Sequence, residues 1–307
     1  SGAATNLTVF LRGDVNTPGP EVPRGFLRVL AADHAIEFQQ GSGRRELAEQ
    51  IATRENPLTS RVFVNRIWAM LFGRGLVGTP SNFGRLGDLP THPELLDDLA
   101  VRFMDHGWSV KWLVKELVRS ATYRQSSAAK GENAAIDEAN RFWWRMNRRR
   151  LSIEQFRDAV LAVAGSLDPL GGKSLDLAEE GNLRRTVYAR ISRRELDHTM
   201  TLFDYPDANA HAARRSASTT APQKLYVMNS PFLLARAKEF ASRLAVLADN
   251  DSERIERAYR IAYGRRPTET ERSLGLLFLS GEPAGRMTAL DKYAHALLAA
   301  NEMIYLD

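Results

Sequence analysis

The sequence predicts a mainly α protein: an irregular multi-helix bundle with a small β element formed by an N-terminal strand and a strand near 186–191. Three observations carry this expectation. Apolar residues recur at helical spacing over much of the chain after residue 44. Helix signals such as Pro57 at a first turn and Gly73 as a stop bracket such stretches. Runs of branched and aromatic residues suited to strands occur at 7–12 and 186–191.

Leu7-Thr8-Val9-Phe10-Leu11-Arg12 reads as the first strand, broken by Gly13-Asp14 and by Pro18-Gly19-Pro20. A helix is expected over 44–54. A second should start with Asn56 as cap and Pro57 as first helical residue, running to Phe72 with Leu58, Val62, Ile67 and Leu71 as its stripe. Five glycines and two prolines make 73–90 a shaped loop. Thr91-His92-Pro93-Glu94 fits a capping box, opening a helix to about His106 with Leu95, Leu99 and Phe103 on one face. Residues 109–121 continue as a helix, 125–136 as a flexible loop, and 152–165 as a longer helix with Leu151, Phe156, Val160 and Val163 inward. Gly171-Gly172 marks a loop, and 186–191 alternates like a strand that pairs with the N-terminal one. The stretch 203–222 has no periodicity, and loops of that length are usually functional or disordered. A helix or helix pair over 222–248 and helices near 251–263, 267–280 and 286–303 complete a C-terminal bundle. The organisation expected is an N-terminal extended segment (1–43), a helical core with the small sheet (44–202), and a polar loop with helical bundle (203–307), together one compact unit.

The 307 residues are 44% apolar and 26% charged, ordinary fractions for a folded protein. No apolar run approaches the roughly 18 residues of a membrane-spanning helix. Without cysteine, the chain has no disulfide, zinc–thiolate site, c-type haem attachment or cysteine nucleophile. The start, Ser1-Gly2-Ala3-Ala4, reads as a linker or cleavage scar, so the chain is expected to be a piece of a longer protein. Net charge is +5, and only seven of the 42 basic residues are lysine. That arginine excess suits planar, bidentate contact with carboxylate, phosphate or sulfate, or equally a surface of salt bridges.

Five groups of residues could carry chemistry. His92 stands at a helix start beside the glycine-rich loop, as an acid/base or ligating imidazole or simply as an ordering residue. Asp204, Asp207, Asn209 and His211 lie within eight residues. They could hold a hard cation such as calcium, supply a general acid or base, or only shape turns around Pro206. No metal ligand set is assigned. Arg214 and Arg215, with Ser216, Ser218, Thr219 and Thr220, could bind an anion at the helix start marked by Pro222, with Arg150, Gln223 and Asn229 lining the site. Alternatively the two arginines pair with Asp204 and Asp207 to lock the loop. Phe142-Trp143-Trp144 among arginines superficially resembles a nucleic-acid stacking patch, but no nucleic-acid motif accompanies it and no nucleic-acid partner is expected. Glu195, Asp197 and His198 form a further mixed cluster. No P-loop, dinucleotide fingerprint, nucleophile elbow or HExxH appears.

Several segments together resemble one family. They are Asn56-Pro57-Leu58-Thr59 with Val62 to Trp68, Phe72-Gly73-Arg74-Gly75-Leu76-Val77, Thr91 to Asp97, Ser120 to Ser127, and Arg148 to Leu151. Further along come Phe203-Asp204-Tyr205-Pro206-Asp207, Arg214-Arg215, Thr219 to Gln223 and Met228-Asn229-Ser230. The chain resembles the domain-of-unknown-function 1553 family, the planctomycete secreted domain, over nearly its whole length. The resemblance implies export to the periplasm or cell surface, a planctomycete-type source, and a haem-bearing cytochrome-c-like segment elsewhere in the parent protein. It implies no cofactor within this chain and supplies no catalytic residues. Ala69-Met70-Leu71 follow Trp68 where many relatives place histidines, which puts a metal or haem role for that helix in doubt.

The leading expectation is a non-catalytic binding or docking domain of an exported multidomain protein. Its partners would be an anionic polysaccharide or a haem-bearing neighbour domain. The alternatives are an acid/base enzyme on such a polysaccharide, using Asp204 or Asp207 with His211 or His92, and a purely architectural domain.

Overall fold

The computed structural model describes residues 4–31, 35–129, 131–179, 181–281 and 285–306. Ser1-Gly2-Ala3 of the expected linker fall outside them. The chain forms two compact units, Ser1–Asn147 and Arg148–Asp307. The break therefore falls at 147/148, whereas the sequence suggested a single compact unit with internal boundaries at 43 and 202.

In the first unit, β1 (Leu7–Phe10) pairs antiparallel with β2 (Pro18–Val22), Leu7 opposite Val22. The N-terminal strand thus closes a local hairpin and does not pair with 186–191. Helices α1 (Arg44–Ile51), α2 (Thr59–Phe72), α3 (Pro93–Asp105), α4 (Val110–Arg119) and α5 (Gly131–Ile136) follow. The core of this unit gathers Val64, Trp68, Phe72, Leu96, Leu99, Phe103, Leu113 and Leu117, with Trp143 edge-on to Trp68 and Phe72. On α2 the buried stripe is Val64, Ile67, Trp68 and Phe72, one residue round from the expected one, in which only Ile67 is buried.

Two expected caps resolve differently. Asn56 is buried and its Oδ1 accepts from Leu58 N at 3.0 Å, making a turn that delays α2 to Thr59. Thr91 makes no capping box. Its N–H donates to Leu76 O at 2.9 Å, its hydroxyl turns to the same carbonyl, and His92 becomes the cap residue of α3. Part of the expected flexible loop at 125–136 is α5.

The second unit holds β3 (Arg149–Arg150), α6 (Ile153–Ala164), α7 (His198–Leu202), α8 (Ala221–Asn229), α9 (Pro231–Leu247), α10 (Asp251–Tyr263), α11 (Glu269–Leu279), α12 (Ala289–Leu298), α13 (Asn301–Ile304) and β4 (Tyr305–Leu306). Helix α9 is the axis, packed by α6 and α12. Leu233, Phe240 and Leu244 are fully buried there beside Val160, Ile255, Ala294 and Leu298. Each buried leucine, isoleucine, valine or phenylalanine among them contributes roughly 1.5–3 kcal/mol. Strands β3 and β4 pair antiparallel, Arg150 opposite Tyr305, and Leu151 N donates to Ile304 O at 2.7 Å.

Residues 186–191 do not form a strand. Thr186–Tyr188 is a 3-10 turn, with one isolated bridge from Leu175 to Ala189. The α6 side chains anchor the start of the segment, while Leu175 N donates to Tyr188 O and Arg190 N donates to Leu175 O. Asp158 Oδ1 accepts from Thr186 N and Oγ1, both at 2.7 Å, while buried Arg157 donates to Arg184 O at 3.0 Å and Thr186 Oγ1 at 3.1 Å.

Much of the arginine excess is structural. Arg265 is clasped by Glu271 and Glu302 at 2.6–2.8 Å, and its donation holds the Glu271 carboxyl down at about 2. Arg61 pairs with Asp97, and Arg254 with Asp251.

Candidate functional site

The aperiodic segment lies wholly in the second unit, and its base is built by hydrogen bonds. Asp197, of the Glu195, Asp197 and His198 cluster, caps α7 by accepting from Thr199 N at 2.8 Å and Met200 N at 3.2 Å. After α7 the chain passes Phe203 and turns at Asp204, whose φ of 61° is in the left-handed region that few non-glycine residues adopt. The Asp204 carboxylate accepts from Ser218 N at 2.8 Å and from Ser218 Oγ at 2.8 and 2.9 Å, closing the loop.

Gln223, on the first turn of α8, is buried and fully used. Its Nε2 donates to Leu202 O at 2.8 Å, Ser218 Oγ at 3.2 Å and Asp204 Oδ2 at 3.4 Å. Its Oε1 accepts from Thr220 N at 3.2 Å and from Arg150 Nη2 at 3.0 Å. The β3–β4 pairing delivers Arg150, whose Nη1 lies 4.0 Å from Asp204 Oδ2 and whose guanidinium lies 5.9 Å from the Phe203 ring. Burial pushes the Asp204 carboxyl upward. Donation from the Ser218 backbone and hydroxyl and from Gln223, with the Arg150 charge, outweighs it and holds the carboxyl below its ordinary value. A recess of about 30 Å³ beside this base is lined by Arg150, Phe203, Thr219, Thr220, Gln223, Val227 and Tyr305, and Thr219 Oγ1 is hydrogen-bonded to the Tyr305 hydroxyl at 3.2 Å. It has room for about one water molecule.

The tip of the loop differs. Asp204, Tyr205, Pro206, Asp207, Ala210, Ala212, Arg214, Arg215 and Ser216 surround an open hollow of about 270 Å³. Arg215 makes a bidentate pair with Glu154, both bonds at 2.6 Å, and its guanidinium sits 4.6 Å from the Tyr205 ring centroid. Glu154 belongs to the first turn of α6, where the helix dipole favours a carboxylate. Burial works against that charge, and the Arg215 bonds hold the carboxyl below its usual range. Arg214 has no hydrogen bond or ion pair among the described residues. Asp207 Oδ1 accepts from Asn209 N at 2.8 Å and Nδ2 at 3.2 Å.

The structure therefore joins Arg150, Thr219, Thr220 and Gln223 with Asp204 at the base, and Asp207, Arg214 and Arg215 with Asp204 around the hollow. It leaves three expected residues out. Asn229 is exposed, and its amide turns back to Leu225 O of its own helix at 3.1 Å. His211 is exposed, between two alanines that line the hollow, and does not line it itself. His92 belongs to the first unit, its Nδ1 3.0 Å from Thr91 Oγ1 and its ring 6.0 Å from that of Phe142. The expected lock is also corrected: Arg215 pairs with Glu154, Arg214 with neither aspartate, and Arg150 stands beside Asp204. Among the described residues no group of three His, Asp or Glu side chains could hold a metal ion. Trp143 is buried and Trp144 Nε1 donates to Asp137 O at 2.9 Å, so these two rings are packing, whereas Phe142 is exposed.

Sequence reasoning missed Glu154, Tyr205 and Tyr305. Glu154 carried one weak signal, an acidic residue in a first helical turn. Nothing local connects it to Arg215, 61 residues away.

No curated protein and no solved structure matches the chain. A family model described as PSD1, a protein of unknown function (DUF1553), matches residues 43–279. That span takes in α1 to α4 and the whole loop from Asp204 to Ser218. The chain belongs to the DUF1553 family.

Proposed function

We propose that this chain is a non-catalytic binding domain of an exported multidomain protein, and that the hollow of its 204–216 loop receives an anionic group of an acidic polysaccharide. The observation that carries this reading is Arg214, a guanidinium lining the hollow with no hydrogen bond or ion pair among the described residues. An unmatched guanidinium offers charge-assisted, bidentate bonds to a carboxylate or sulfate. The loop around it is already held, at its base by Asp204 and Ser218 and on its flank by Arg215 and Glu154, so little ordering cost falls on binding. A hollow of about 270 Å³ suits one residue of a polymer rather than an enclosed small molecule.

The acid/base alternative is less well supported. A general acid needs a carboxyl raised toward neutrality, and Asp204 is held the other way with its oxygens occupied. Isothermal calorimetry with polygalacturonate at low salt tests the proposal. Arg214→Ala should weaken binding at least about tenfold, the loss expected for one charge-assisted contact. Unchanged affinity in that variant overturns it.

A further inference from the structure

We infer that the hollow selects a hydroxylated acidic sugar over a bare polyanion, because it presents one unmatched cation and one unmatched carboxylate oxygen together. This rests on the anion-binding reading above and narrows it. Around the hollow, Arg215 is neutralised by Glu154, and Asp204 accepts from Ser218 with the Arg150 charge 4.0 Å away. What remains is Arg214, without a partner among the described residues, and Asp207. Asn209 occupies Asp207 Oδ1, while Oδ2 accepts from nothing among the described residues, and Asp207 makes no ion pair with Arg214 although both line the hollow.

The two leftover charges cancel, so the hollow is not a general trap for negative charge. A ligand that is only anionic satisfies Arg214 but meets repulsion from Asp207 and leaves Oδ2 without a donor as water is displaced. A uronic residue places its carboxylate on Arg214 and a ring hydroxyl on Asp207 Oδ2, so both groups are satisfied at once. Desolvated polar groups that stay unpaired are what discriminate strongly between ligands.

The test compares two polycarboxylates, polygalacturonate with ring hydroxyls and poly-L-glutamate without them, by calorimetry on the intact chain at low salt. The expected result is about tenfold tighter binding of polygalacturonate. Asp207→Asn keeps Oδ1 for the Asn209 turn and turns the free acceptor into a donor. It should remove about that tenfold for polygalacturonate and leave polyglutamate unchanged or slightly better bound. Equal wild-type affinities overturn this inference and leave the anion reading intact. Absence of binding to either polymer overturns the anion reading itself. If Asp207→Asn weakens both polymers equally, Asp207 acts through loop shape and the inference fails.

Discussion

The base and the tip of the 204–218 loop are made of the same residue types and are finished in opposite ways. At the base, the Asp204 carboxylate, the Ser218 hydroxyl and the Gln223 amide are all hydrogen-bonded, and Arg150 stands alongside. At the tip, Arg214 and one oxygen of Asp207 are left without partners among the described residues, around an open hollow. Saturated polar groups specify a shape, while unsaturated ones on a held scaffold are available to a ligand. The contrast makes composition a poor guide to function here. Asp204 and Asp207, three residues apart, do different jobs.

The largest expected effect lies at the base. Gln223→Ala removes bonds to Leu202, Ser218, Asp204, Thr220 and Arg150 from a residue that is 2% exposed. Leaving those partners unsatisfied should cost about 2–4 kcal/mol, read as a lowered urea midpoint by far-UV circular dichroism. A loss under about 1 kcal/mol would mean the base is not the lock described. All five tryptophans lie in the first unit, so their fluorescence is the wrong probe for this variant.

A pH effect of intermediate size comes next. Asp204 and Glu154 have folded-state carboxyls below the ordinary values of 3.8 and 4.5. The unfolded chain therefore takes up protons first, and the stabilisation is fully present above those values and lost as pH falls through them toward the folded ones. The stability difference between pH 7 and pH 3.5 should narrow in Asp204→Asn relative to wild type. An unchanged difference would show that the Asp204 charge contributes nothing to the closure. Glu154→Gln should cost less, about 0.5–1 kcal/mol, because Arg215 keeps 39% of its side-chain exposure and its pair is partly screened.

How much of this was legible beforehand follows from how local each cause is. Helix α10 was expected at 251–263 and lies there, since Asn250 accepts from Glu253 N and Gly264 ends the helix at φ 71°, both signals adjacent in sequence. The caps at Asn56 and Thr91 were misread because a side chain at a cap position can bond elsewhere, as Thr91 does to Leu76, 15 residues earlier. The β3–β4 pairing joins residues some 155 positions apart, and a two-residue strand has no periodicity to find. The 186–191 segment has the branched and aromatic residues of a strand, but Asp158 of α6 takes Thr186 N and Leu175 bonds to Tyr188 and Arg190, partners that no local pattern shows. The site shows the same division. The loop and its two halves could be read from composition, whereas the choice of Glu154 as partner of Arg215, the saturation of Gln223 and the freedom of Arg214 are properties of the assembled unit.

The smallest effect on stability is the most telling. Arg214 is exposed and touches no partner among the described residues, so Arg214→Ala should change the urea midpoint by less than about 0.5 kcal/mol. Its neighbour provides the internal control: Arg215→Ala deletes two bonds at 2.6 Å and the contact over Tyr205, and should lose measurable stability. An architectural loop would make both arginines matter to folding and neither to polysaccharide. A binding loop makes Arg214 neutral in denaturation and costly in calorimetry. If Arg214→Ala proves as destabilising as Arg215→Ala, Arg214 is part of the scaffold, and the distinction between a saturated base and an available tip collapses.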